Sequence, residues 1–66
     1  AKRMIEEIRI IEAEREYNIG EFYLRRKKPS SAAMYFEYVI ADFPGTIWAE
    51  RANERIEFLK MIEAVK

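Results

Sequence analysis

The sequence predicts an all-α fold, a three-helix antiparallel array with a long first helix, on three observations. Apolar residues recur three and four positions apart along most of the chain, the spacing that builds one face of a helix. The chain holds only two Gly and two Pro, so it turns in few places. No run alternates apolar and polar residues as a half-buried strand does.

The first helix is expected over about residues 2–26. Met4, Ile8, Ile11, Ile19, Phe22 and Tyr23 form its apolar stripe, and Ile5, Ile10 and Leu24 widen it. Ala, Glu, Arg, Met and Leu, all good helix formers, dominate the segment. Gly20 lies inside it. An interior glycine costs about 1 kcal/mol relative to Ala, which points to close approach of a neighbouring helix, with a kink as the alternative.

Lys28 precedes Pro29, which biases it away from helical backbone. Pro29 suits a first helical turn, and Ser30 or Ser31 can cap it. The second helix is expected over about residues 30–42. Its main face is Ala32, Phe36, Val39, Ile40 and Phe43, with Ala33 beside it and Tyr35 and Tyr38 at its flanks. Phe43-Pro44-Gly45 then breaks the chain. Thr46 is the expected N-cap of a third helix over about residues 47–65, with Glu50 near its positive dipole end. Its apolar positions are Trp48, Ala49, Ala52, Ile56, Leu59, Ile62 and Val65.

The third helix echoes the first. Residues 1–13, AKRMIEEIRIIEA, and residues 52–64, ANERIEFLKMIEA, are identical at six of thirteen positions with an offset of 51. Ile8/Leu59, Arg9/Lys60 and Ile10/Met61 are conservative pairs. The third helix therefore reads as the start of another copy of the unit that the first helix begins, the behaviour of a helical repeat array.

Composition excludes several function classes. Sixty-six residues form one small domain, which buries only about 60% of its unfolded surface. Twelve bases balance twelve acids, so no global field attracts nucleic acid or an anionic membrane, and self-association is not opposed by net charge. With no Cys and no His, the chain lacks a disulfide framework, a thiolate and the commonest general base and metal ligand. No apolar run reaches membrane-spanning length. The chain begins at Ala1 and not at Met, which reads as a processed, excised or engineered segment.

Arg25–Lys28 reads first as four cations complementing the negative end of the first helix, and second as a site for an acidic partner. Glu12 and Glu16 share a helix face, but no His joins them as a di-iron bundle requires. The aromatics at helical spacing read as packing, with Tyr17, Tyr35 and Tyr38 partly exposed because they lie off the main stripes. No catalytic residue, cofactor or metal site is expected.

Ile19-Gly20, Tyr23, Ala32, Phe36 and Pro44 fall in step with a tetratricopeptide repeat, so the first two helices resemble one such helical hairpin. The chain departs from that pattern at Glu16, where Trp is usual, at Val39, where Ala is usual, and in a turn without Gly-Asp. A narrower resemblance covers about residues 15–60. EYNIGEFYLRR and AAMYFEYVIADFPGT are similar to the later repeats of BamD-type (YfiO-like) outer-membrane assembly lipoproteins, through Glu16, Gly20–Tyr23, Arg26, Ala32, Ala33, Phe36, Val39, Ile40, Asp42–Pro44 and Thr46. That family's lipid-bearing N-terminal Cys and earlier repeats have no counterpart here, so the resemblance implies a fragment.

The resemblance implies a non-enzymatic protein–protein scaffold at the periplasmic face of the outer membrane, with outer-membrane assembly components as partners. It also implies that Glu14, Tyr17, Asn18, Glu21, Leu24 and Arg25 project from the concave face towards a partner helix or extended segment. The alternative is a minimal repeat unit, engineered or excised, whose exposed helix faces make homo-oligomers and which has no activity of its own.

Overall fold

The computed structural model describes the backbone of residues 2–65 and the side chains of residues 7–62. The side chains of Met4, Ile5 and Val65, assigned above to apolar faces, lie outside the described residues. Among the described residues there are three helices and no strand. They are α1 (Lys2–Arg25), α2 (Pro29–Asp42) and α3 (Ile47–Val65). α1 and α2 form an antiparallel hairpin. α3 packs chiefly on α2 and more lightly on α1, alongside which it runs parallel.

The first corner is built without a glycine. Lys28 N–H donates to the Tyr23 carbonyl at 2.9 Å and Lys27 N–H to that of Leu24 at 3.1 Å. Lys27 has φ +60°. Those two bonds and a left-handed residue make a Schellman ending. Arg25–Lys28 thus form the corner, and all four side chains are exposed.

The expectation that Ser30 or Ser31 caps α2 is corrected here. Pro29 takes the first helical position, Lys28 becomes the N-cap, and no side chain caps the helix. Both serines fall inside the first turn. The second corner does carry a side-chain cap. Ala49 N–H donates to Thr46 Oγ1 at 3.2 Å, and the Thr46 hydroxyl donates to the Phe43 carbonyl at 2.8 Å. Gly45 has φ +84°, a value that a side chain tolerates poorly.

The core runs through all three helices. α2 contributes Ala32, Phe36 and Val39, and α3 contributes Ala49, Ala52, Ile56 and Leu59. Ile40 of α2, Phe43 at its C-cap and Trp48 of α3 lie half-buried against them. Gly20 is the point of closest approach. A Cβ built there would lie 2.7 Å from Cε1 of Phe36, so the glycine is needed for close packing.

α1 differs from expectation in which face it buries. Its buried residues are Ala13, Tyr17 and Gly20, with Leu24 continuing the line half-covered. The more apolar stripe of Ile8, Ile11 and Phe22 faces solvent, 54%, 55% and 49% exposed. Small side chains bring α1 close to α2, and that approach outweighs the greater apolar area of the other stripe. In α3, Ile62 is also more exposed than its place in the periodicity suggests.

Candidate protein-binding groove

Tyr17 is the residue on which α1, α2 and α3 converge. Its ring centroid lies 5.3 Å from that of Phe36 on α2 and 5.2 Å from that of Trp48 on α3, both pairs tilted. Tilted aromatic pairs at this separation are favourable beyond their buried area. The partial exposure expected of Tyr17 is therefore corrected. It is 8% exposed, because α3 brings Trp48 over a ring that the hairpin alone would leave open.

The Tyr17 hydroxyl points out of this cluster and meets polar partners. Arg55 Nε donates to it at 3.2 Å and to Glu21 Oε1 at 2.9 Å, and Arg55 Nη2 reaches the same carboxylate oxygen at 2.9 Å. Burial raises the Tyr17 hydroxyl above its ordinary value, against the opposing pull of Arg55. The Arg55 guanidinium is itself held protonated more firmly, first by its hydrogen bond to Tyr17 and then by the Glu21 charge. No buried side-chain polar atom among the described residues lacks a partner.

A groove of about 510 Å³ opens beside this network, lined by Tyr17, Arg51, Glu54, Arg55 and Phe58. The Arg51 guanidinium sits 5.1 Å over the Trp48 ring, a cation–π contact that fixes it at the wall. Phe58 is 47% exposed. The groove thus offers an exposed aromatic ring, a held arginine and a carboxylate within one depression. Aromatic and Arg side chains carry much of the binding energy at protein interfaces.

The six residues assigned to a binding face from the sequence divide in the structure. Tyr17 and Glu21 come together at the groove and are tied to Arg55. Leu24 is half-buried and packs on the core. Glu14 and Arg25 are exposed. Asn18 borders a different depression of about 570 Å³, with Arg15, Ile19, Phe22, Tyr23 and Tyr35. The four α3 residues of the groove were not anticipated. Their signal was the 51-residue echo, which makes α3 a second first-helix lying beside α1, and the spacing of Arg51 with Arg55 and Glu54 with Phe58, one helical turn each.

Among the described residues, no group of three or more His, Cys, Asp or Glu is arranged to hold a metal ion. No helix among them is long and apolar enough to cross a membrane.

One comparison with known proteins gives a match. The family model described as YfiO, outer membrane lipoprotein, matches residues 1–64. No curated protein and no solved structure matches the chain significantly.

Proposed function

Because this chain belongs to the YfiO family of outer membrane lipoproteins, whose place is the periplasmic face of the outer membrane, we propose that it is a non-enzymatic scaffold that holds another protein during outer-membrane protein assembly. The observation that carries this reading is the groove between α1 and α3. It displays Phe58 and Arg51 on a base already stiffened by the Tyr17–Glu21–Arg55 network. A side chain fixed before binding loses less entropy on binding, so preorganisation of this kind raises affinity.

The partner chemistry follows from the lining. Arg51 and Arg55 stand beside Glu54, and Arg55 is already paired with Glu21, so the groove and its base carry no net charge. Phe58 accepts an apolar or aromatic side chain, while Arg51 accepts a carboxylate. An extended segment or helix carrying an apolar anchor beside an acidic residue fits this pattern. The exposed Glu14 and Arg25 flank its approach along α1.

Site-specific photocrosslinking tests the assignment, using outer-membrane assembly components as partners. A photoreactive residue at position 58 is expected to form an adduct that Arg51→Glu abolishes. The same probe at Glu37, on exposed α2 surface, is expected to form none. Equal adducts at both positions, or none at position 58, would remove the groove from consideration.

A further inference from the structure

The groove leaves most of the Arg25–Lys28 run unused. Serving the negative end of α1 accounts for only part of that run. Arg25 lies in the last turn of α1. Lys27 and Lys28 lie beyond it, and Lys28 is the N-cap of α2. That is the positive end of the α2 dipole, where a cation is unfavourable and Ser, Thr, Asp or Asn is the usual residue. Among the described residues, no carboxylate lies within ion-pair distance of any of the four bases. Glu21, one turn before Arg25, is engaged by Arg55. The corner therefore carries an electrostatic cost that no ion pair among the described residues offsets.

The run is also isolated in sequence. Residues 22–36 hold these four bases and no acid. All twelve acids and the other eight bases lie outside that stretch. The neutral chain is thus charged unevenly, with a basic pole at the corner between α1 and α2. Residues 25–30 are exposed without interruption, which makes the pole a protruding tip and not a cup. Such a tip meets several anions at once where they are spread over a flat surface. The headgroup phosphates of an anionic bilayer form a surface of that kind, and clusters of Lys and Arg are attracted to it. The family's place at the outer membrane brings a bilayer within reach of the chain.

We infer that the corner between α1 and α2 is a contact site for an anionic lipid surface, with Arg25, Arg26, Lys27 and Lys28 meeting headgroup phosphates. The phosphates supply the negative charge that the corner lacks. The contact is reversible and supplementary, because a small basic patch holds a membrane firmly only when a second anchor acts with it. The hairpin then stands end-on to the membrane, and the groove on its side stays open to a protein. The site rests on the family's location and on the charge of the corner itself, so it stands or falls independently of the groove.

Co-sedimentation of the 66-residue chain with phosphatidylcholine vesicles, with and without phosphatidylglycerol, tests it. Binding is expected to the anionic vesicles alone. It is expected to fall steeply as salt rises, since the screening length shrinks from about 30 Å at 0.01 M to about 8 Å at 0.15 M. Each cation near such a surface contributes about fivefold in affinity. Lys27→Gln combined with Lys28→Gln is therefore expected to weaken binding about thirtyfold, and Lys27→Arg combined with Lys28→Arg to retain it. Arg9→Gln, towards the other end of α1, is expected to change binding by less than about twofold, because it lies beyond the screening length. Lys28→Asp is expected to lose binding with a Tm no lower than that of the parent chain, which separates a lost contact from a lost fold. The inference is overturned if the chain binds both kinds of vesicle alike or neither, or if Arg9→Gln weakens binding as much as Lys27→Gln does. It is also overturned if the chain binds soluble polyglutamate more tightly than the anionic vesicles, which would assign the corner to an acidic protein segment.

Discussion

Replacing Gly20 with Ala sets two effects of opposite sign against each other, and the geometry decides which wins. In an open helix interior the change stabilises by about 1 kcal/mol, through propensity and reduced unfolded-state freedom. Here the new methyl would lie 2.7, 2.9 and 3.0 Å from three ring atoms of Phe36. Phe36 is fully buried and its ring has Tyr17 against it, so it has no free space to swing into. Forcing an extra carbon into a packed core costs about 1–3 kcal/mol. Taking the middle of that range, the net expectation is a loss of about 1 kcal/mol, or about 4–8 °C in Tm for a domain of this size. Gly20→Leu directs three further carbons at the same ring and belongs at the upper end, about 3 kcal/mol. Urea and thermal unfolding followed by circular dichroism read both. Combining Gly20→Ala with Phe36→Leu is expected to lose less than the two changes separately, with a coupling of about 0.5–3 kcal/mol. A rise in Tm for Gly20→Ala, or strict additivity in the double variant, would refute the contact.

Three further outcomes are expected. Lys27→Gly should stabilise by about 1 kcal/mol, because Lys27 holds a left-handed conformation at φ +60° that glycine adopts without strain; an unchanged urea midpoint would count against the Schellman ending. A double-mutant cycle of Glu21→Gln and Arg55→Gln should give a coupling of about 0.2–1 kcal/mol, modest because the Arg55 side chain is 42% exposed. Stability should fall as pH rises above about 10, the ordinary tyrosine value. Burial raises the folded Tyr17 hydroxyl above that value, so the unfolded chain deprotonates first and is favoured until the folded hydroxyl also ionises. Tyr17→Phe should flatten part of that slope above about pH 10, and an identical pH profile for the variant would contradict it.

The all-α class and the inner face of α2 were legible because Ala32, Phe36 and Val39 repeat at helical spacing between two prolines. Gly20 announced its contact because an interior glycine in a helix requires a reason. The buried face of α1 was not legible. Counting apolar residues finds the line with the greatest apolar mass, Ile8, Ile11 and Phe22. It does not reveal that Ala13 and Gly20, with less to bury, admit a neighbouring backbone more closely. Likewise Tyr17 reads as an amphipathic surface residue until Trp48 is known to lie over it. The groove was half-legible, since Tyr17 and Glu21 were singled out, but Arg55 lies 38 positions from Tyr17 and only the fold joins them.

The bond from Arg55 to Glu21 and Tyr17 also has a mechanical meaning. It spans the first helices of two successive units, and the angle between such helices sets the curvature and pitch of a solenoid. Removing it would leave the joint to apolar contacts that tolerate sliding, so the joint would become more compliant with little change in fold. At the same step of the 51-residue repeat, Arg55 is replaced by Met4. A joint that placed Met4 at this position would lack the latch and would yield more readily than the one between α1 and α3.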